Sequence, residues 1–284
     1  NVWGGVVVSG IKPERRAEFD ATVTPRIRRM TQEVVLPYLP PIIKERRDVE
    51  MSPKQKKAYT QLAEKMIAEL DSGSVLVAGN SLTQSMRLLQ FASSYGELDL
   101  IESVGKDGWP VQHERLVLSH PSSKVDAFME DLGDFEGRSV LVFTVSSQLL
   151  HLLSDALTKK NIPHGMIVGG QTSIERQTHI DDFQAGTTKF ILATIEAGGT
   201  GITLTAADTV VYLQRSWSLI NMEQSQRRAR RIGSEIHESI LQIDYVTPNT
   251  MEEAVIAALE GKLAGLEDIV RDKELLRRAL SGDV

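Results

Sequence analysis

Val140-Leu141-Val142-Phe143-Thr144 is an unbroken apolar run ending on a hydroxyl, the pattern of a parallel strand covered by helices on both faces. Working outward, residues 125–132 before it and 149–157 after it repeat apolar positions at helical spacing, so the run is bracketed by helices. The alternation continues downstream. His164-Gly165-Met166-Ile167-Val168 is a second strand, and Ser173 opens a helix that holds Arg176 and Ile180 and closes at Phe183. Phe190-Ile191-Leu192-Ala193-Thr194, Val210-Val211-Tyr212-Leu213 and residues 240–246 are three more strands. Strands alternating with helices of this length predict an α/β fold, a doubly wound parallel sheet with right-handed crossovers.

Upstream, the pattern is different. Residues 1–48 read as a linker or brace: Val6-Val7-Val8 is a short strand, Pro13 opens a charged helix leading to Phe19, and Leu36-Pro37-Tyr38-Leu39-Pro40-Pro41 imposes an extended crossing. Residues 49–121 read as a helical lead-in. Ser52 is an N-cap with Pro53 at the first helical position, and Tyr59, Leu62, Met66 and Leu70 recur on one face until Asp71-Ser72-Gly73-Ser74 ends the helix. Residues 86–91 form a second helix, Val75-Leu76-Val77 fits either class, and Gly105-Lys106-Asp107-Gly108-Trp109-Pro110 is a loop with Trp109 as a packing anchor. The motif-bearing part is then 122–250, and 251–284 closes the chain as helices rich in Ala, Leu, Glu and Lys.

Across its 284 residues the chain is 41% apolar and 25% charged, ordinary for a globular protein, with a net charge of −6. Any attraction to nucleic acid must therefore come from local basic patches on an acidic background. With no cysteine, a disulfide scaffold and a thiolate metal site are both excluded, which fits an intracellular setting. No apolar run reaches membrane-spanning length, and the first residues lack the order of a secretory signal. The start at Asn1 fits a processed chain or a fragment of a longer protein.

In an open parallel sheet, ligands bind beyond the carboxyl ends of the strands. Thr144, Ser146 and Ser147 follow the first strand; their hydroxyls suit a phosphate, and equally a helix N-cap. Gly169-Gly170-Gln171-Thr172 follows the second. Glu196-Ala197-Gly198-Gly199-Thr200-Gly201 follows the third, and its glycines let backbone amides approach a phosphate or a nucleic-acid strand, where a plain turn is the bland reading. Gln214-Arg215-Ser216-Trp217 follows the fourth, with Trp217 suited to a base or to simple packing. Next comes Gln224-Ser225-Gln226-Arg227-Arg228-Ala229-Arg230-Arg231-Ile232-Gly233. On a helix, Arg228 and Arg231 share a face and can reach one anion together; taken alone, such a cluster is more often a solvated face.

This ordered set resembles the second RecA-like lobe of superfamily-two helicases, and specifically the Swi/Snf-type DNA-translocating ATPases. Residues 194–208 are similar to that family's motif V, residues 217–233 to its motif VI region, and Ser122-Ser123-Lys124, the stretch 170–183, Pro25 to Pro41 and Ser52 to Tyr59 also follow its pattern. Arg230 stands where the family usually has histidine, and Thr203 where it has asparagine. The resemblance implies that Arg228 and Arg231 reach across an interlobe cleft to the ATP phosphates, with Arg231 as the arginine finger, and that Gln224 and Gly199 help to place the nucleotide. It also implies that Thr144, Gly170, Thr172, Thr194, Gly198, Gly201 and Trp217 contact DNA, duplex or branched, without reading its sequence.

A complete ATPase of this class also needs a Gly-Lys-Ser/Thr phosphate loop and an acidic pair for Mg2+. The Gly-Lys steps at Gly105 and Gly261 continue into Asp107 and Leu263, and no Asp-Glu dipeptide occurs. The expectation is therefore half an active site, with no metal held by this chain, ATP and Mg2+ belonging to the complete enzyme, and a missing first lobe as partner. His113-Glu114 and His237-Glu238 lack the second histidine of a zinc-protease motif. Lys54, Lys56 and Lys57 read as a solvated helix face, and Arg26, Arg28 and Arg29 as a contact to DNA or the other lobe, or a solvated face. A stand-alone, non-catalytic nucleic-acid-binding or protein-interaction module is the other class left open. A dinucleotide-binding oxidoreductase is not, because the glycine loop lacks G-x-G-x-x-G spacing.

Overall fold

The computed structural model describes residues 12–23, 32–104, 109–198 and 201–262. The expected strand Val6-Val7-Val8, Arg26, Arg28, Arg29, residues 105–108, Gly199 and residues 263–284 lie outside them. Two compact units are present, one of residues 38–261 and one that includes the described residues before Tyr38. In the latter, Pro13 does begin a charged helix: a 3-10 turn, Pro13–Arg15, runs into α1, Arg16–Val23, and a short α2 spans Gln32–Val35.

The larger unit begins with β1 (Ile42–Asp48), α3 (Pro53–Lys65), β2 (Ile67–Glu69), β3 (Val75–Val77), α4 (Ser81–Ser93), β4 (Tyr95–Val104) and β5 (Pro110–Ser119). There follow α5 (Ser123–Glu130), β6 (Val140–Thr144), α6 (Ser147–Lys159), β7 (His164–Ile167), α7 (Ser173–Gln184) and β8 (Phe190–Thr194). The remainder is α8 (Ile195–Gly198), β9 (Thr209–Tyr212), α9 (Leu219–Ala229), β10 (Ile240–Val246) and a helix over 251–262. Six parallel strands form the central sheet in the order β1-β10-β9-β6-β8-β7. The α/β, RecA-like reading holds, and the five strands expected from the sequence are all in the sheet.

The apolar runs become central strands because both faces are covered. Val140 and Val142 of β6 enter one core with Leu149, Leu153 and Phe128, while Leu141 and Phe143 enter the other with Ile180, Phe183 and Tyr212. The sixth strand, β1, had been read as part of the brace. Its sequence is Ile-Ile-Lys-Glu-Arg-Arg-Asp, too charged for a buried strand, and it is admitted only as an edge, paired from Ile42↔Ile240 to Asp48↔Val246.

Other expectations change. The first helix of the lead-in stops at Lys65, where Met66 takes a left-handed cap conformation (φ 58°), so Leu70 lies not in the helix but just after β2, its N–H donating to Ser74 O at 2.9 Å in the turn to β3. β4 and β5, ten residues each, pair antiparallel from Tyr95↔Ser119 to Val104↔Pro110 where a helical lead-in was expected. The base of this pair is set by period-two burial of Leu116 and Leu118. Trp109 is 75% exposed and anchors no packing. The Ser52 signal is met in full: its hydroxyl accepts the Gln55 N–H in a capping box, and the Gln55 amide also donates to Phe91 O and Ser123 Oγ, both at 3.0 Å.

Lys124 is fully buried. Its ammonium donates to Leu213 O at 3.1 Å just past β9, to Tyr245 O in β10, and to Glu252 Oε2 at 2.8 Å in the following helix. All three donors are used, and the same carboxylate oxygen accepts the Thr247 N–H at 2.7 Å. Burial pushes the Lys124 pKa down and the Glu252 charge opposes that push. Lys124→Met should lower unfolding free energy by about 3–5 kcal/mol, because Glu252 is left as a buried unpaired charge. Chemical denaturation checks this, and the double variant Lys124→Met, Glu252→Leu should recover only the part of the loss due to the unpaired charge, since Leu213 O, Tyr245 O and the Thr247 N–H still lose these partners.

Candidate nucleotide and nucleic-acid site

Six of the seven residues expected to contact nucleic acid lie in or beside the loops after strands β6, β7 and β8, and Trp217 follows β9. Thr144 and Thr194 end their strands side by side, in register across β6 and β8. Both hydroxyls are spent locally: Thr144 Oγ1 donates to Ser146 O at 2.9 Å, and Thr194 Oγ1 accepts the Ala197 N–H at 3.3 Å. Thr172 is the N-cap of α7, with its hydroxyl donating to Glu175 Oε2 at 2.9 Å and accepting the Glu175 N–H at 3.2 Å. The Thr172 N–H, and then its hydroxyl, hold the Glu175 carboxyl below its ordinary pKa.

The glycines differ in purpose. Gly170 and Gly201 have φ of +86° and +66°, the left-handed region that other residues rarely enter. Gly198 needs its missing side chain instead, since a Cβ there would stand 2.8 Å from Cε1 of Phe143. Gly199 lies outside the described residues. Trp217, 41% exposed, lines a cavity of about 550 Å³ together with the exposed Met86 and Val145, and Arg115, Glu196 and Asn221 supply polar groups. The shape of its mouth depends on Gln214, which the sequence reading assigned no role. Its Oε1 accepts the N–H groups of Val145 and Ser146 at 3.2 and 2.9 Å, and its amide donates to Ser93 Oγ at 2.9 Å.

The arginine segment is not one continuous helix. Ser218 caps α9, whose last residue is Ala229; Arg230 leaves the helix at φ −86°, ψ 86°. Arg228 and Arg231 are therefore not one turn apart on a common helical face, as the spacing implied. They are nonetheless near enough to sense one another. The Arg228 pKa is lowered first by burial and then by the charges of Arg231 and Arg176. Arg228 donates to Ile202 O at 3.2 Å, and Arg176, on α7, donates to Ala197 O at 2.5 Å. Arg176 is the member of this group that sequence reasoning missed; its place in the first turn after the Gly169-Gly170 loop was the available signal. Gln224 is exposed on α9.

The other two arginines are used differently. Arg227 pairs with Glu223 at 3.1 Å on the exposed face of α9. Arg230 is buried and its Nε donates to Pro40 O at 2.8 Å, which fixes the end of α9 beside the start of β1. Guanidiniums drawn together from α7, α9 and the turn after α9 repel one another, and an anion with several oxygens relieves that repulsion. Among the described residues no group of three or more His, Asp or Glu is placed to hold a metal ion, and no helix is long and apolar enough to cross a membrane.

The helicase conserved C-terminal domain matches residues 123–233. Among curated proteins, the chain is 28% identical over 275 residues to Protein CHROMATIN REMODELING 5 of Arabidopsis thaliana, covering 94% of this chain and 16% of that protein. It is 32% identical over 222 residues to the ISWI chromatin-remodeling complex ATPase ISW1 of Saccharomyces cerevisiae, covering 76% of this chain and 19% of that protein. The chain thus spans under a fifth of the length of these relatives. Among solved structures, the C-terminal part of the Fun30 ATPase domain aligns with a TM-score of 0.57 at 16% identity, covering 78% of this chain and 90% of that one. The Sulfolobus solfataricus SWI2/SNF2 ATPase C-terminal domain aligns with a TM-score of 0.53 at 22% identity, covering 80% and 89%.

The tight contact at Gly198 generates a prediction. Gly198→Ala must displace the Phe143 ring and should destabilise the chain by about 1–3 kcal/mol. Gly170→Ala, which meets no atom but keeps a left-handed φ, should cost about 1–2 kcal/mol. Thermal and urea denaturation of the two variants checks both.

Proposed function

We propose that this chain, which carries a helicase conserved C-terminal domain and is similar to Swi/Snf-type chromatin-remodelling ATPases, is the second lobe of such an enzyme and completes the ATP site of a DNA translocase or remodeller whose first lobe holds the nucleotide. The carrying observation is that Arg228 and Arg176 come to the same loop after β8, donating to Ile202 O and Ala197 O, with Arg231 three residues beyond Arg228, a set of guanidiniums that suits a triphosphate. In this reading Arg228 and Arg231 reach the ATP phosphates, and Arg231 stabilises the charge that develops on the transferring phosphoryl group. Gln224 and Gly199 place the nucleotide. Mg2+ would be held by the first lobe with the phosphates, since the described residues here include no acidic cluster for it.

The nucleic-acid side is formed by Thr144, Gly170, Thr172, Thr194, Gly198, Gly201 and Trp217. Because the threonine hydroxyls and the N–H groups of Val145, Ser146, Thr172 and Ala197 are engaged within their own loops, the contacts we propose are made by the exposed glycine backbone at Gly170 and Gly201, with Trp217 beside them. Such contacts follow the phosphate backbone, so DNA is engaged without regard to sequence, inside the cell. Residues 122–250 carry the motifs in this proposal, 49–121 lead into them, 1–48 join the first lobe, and 251–284 close the chain. By itself the chain hydrolyses no ATP, because the phosphate loop and acidic pair are absent from its sequence.

In the complete protein, Arg231→Ala should lower kcat by about 10³ while the fold is retained, an arginine-finger effect. Steady-state ATP hydrolysis with circular dichroism on the same preparation measures it, and unchanged turnover would end the assignment. Binding of the complete protein to duplex DNA of two unrelated sequences should weaken equally with salt, by about 0.9 log units per log unit of salt for each phosphate neutralised. A salt-independent, sequence-selective interaction would contradict backbone tracking.

A further inference from the structure

β10 carries two polar side chains on one buried face. Gln242 is 3% exposed and Asp244 7%, in a strand otherwise built from Ile240, Leu241, Ile243, Tyr245 and Val246. Burying an amide and a carboxylate inside a sheet costs free energy that apolar residues would not, so their partners matter. Those partners form one unbroken chain. Arg215, two residues before Trp217, donates from Nε to Asp244 Oδ1 at 2.7 Å and from Nη2 to Oδ2 at 2.6 Å. Gln242 Nε2 donates to the same Oδ2 at 2.8 Å, and Gln242 Oε1 accepts from Gln226 Nε2 at 2.7 Å. Gln226 stands on α9 two residues before Arg228.

The chain of contacts thus starts in the Trp217 loop and ends beside the arginine cluster. Its first two members, Arg215 and Asp244, line the same cavity as Trp217. An anion entering there competes with Asp244 for the Arg215 guanidinium, which forms bidentate pairs with phosphate as readily as with carboxylate. Once Arg215 turns away, the Asp244 carboxylate is left with the Gln242 amide as its donor, and the Gln242–Gln226 bond that restrains α9 is altered in turn. Tyr212 Oη to Ser225 Oγ at 2.8 Å and Arg230 Nε to Pro40 O at 2.8 Å hold the helix on either side of this point, so the change is confined to the side chains between them, which include Arg228.

We propose that Arg215, Asp244, Gln242 and Gln226 form a relay by which occupancy of the Trp217 loop by nucleic acid sets the position of the arginine cluster, with Gln242 and Gln226 as positioning residues. The relay rests on the function proposed above and goes beyond it, since that function requires both sites but no specific link between them.

The test uses the complete protein and measures ATP hydrolysis with and without a linear DNA duplex, the KM for ATP, the affinity for the duplex, and the melting temperature. Gln242→Leu cuts the link within the sheet while leaving Asp244 its bidentate arginine. Gln226→Ala cuts the same link from a half-buried helix position with the best helix former, so it reads the relay even if the strand variant folds poorly. Coupling between two sites is typically worth about 5–150-fold. The ratio of stimulated to basal hydrolysis should therefore fall about fivefold or more in each variant, with basal kcat, KM and duplex affinity within about twofold of wild type. The double variant should show the same loss as either single variant, since both remove one bond. An unchanged ratio in the folded variants overturns the relay, as does a loss that follows duplex affinity alone. Wild-type protein that hydrolyses ATP without any response to nucleic acid would instead overturn the proposed function itself.

Discussion

The ammonium of Lys124 holds the functional half of this lobe together. Taking an ammonium and the Glu252 carboxylate out of water costs several kcal/mol per ion, and the cost is offset only because every donor finds an acceptor. Two of those acceptors are backbone carbonyls where β9 and β10 run out into loops. One of these loops carries Trp217; the other opens the helix that bears Glu252. A single side chain thus sets the relative heights of the strand ends from which the site is built. An apolar residue would fill the space and leave both carbonyls unpaired.

The same economy governs the loops. Each threonine that a motif comparison assigns to nucleic acid has its hydroxyl engaged at a neighbouring backbone group or cap. These hydroxyls shape the loops, in which Gly170 and Gly201 lie exposed and Gly198 is buried. Gly198 shows the constraint most directly, since the loop passes so close to the Phe143 ring that no Cβ fits. One of the two departures from the expected family pattern has a local physical account. Arg230, in the place of a histidine, is long enough to reach the Pro40 carbonyl, so the end of α9 is tied to the entry of β1. For Thr203 the structure offers no explanation.

Much of the sheet was legible because local pattern reports burial directly. An unbroken run such as residues 140–144 can only be satisfied between two layers, and caps such as Ser52 act within three residues of themselves. The β4–β5 pair and the end of the first lead-in helix at Met66 were not legible. Neither depends on periodicity alone: each strand needs its opposite strand, and the helix is ended by a left-handed residue that is not glycine. The candidate site divides in the same way. Arg228 and Arg231 stand out as a cluster, while Arg176 joins them from 52 positions earlier in the chain.

By itself, then, the sequence determined the parallel α/β sheet, the order of the loops at its carboxyl edge, the arginine cluster, and the absence of a phosphate loop. These rest on residue type and short spacing. Only the tertiary structure decided that the charged segment 42–48 becomes a strand, that the helix ends before Arg230, and that Asp244 and Gln242 link the Trp217 loop to α9. The physical reason is that a polar side chain is stabilised inside a protein by its particular partner, and partners distant in sequence are chosen by the packing of the whole chain.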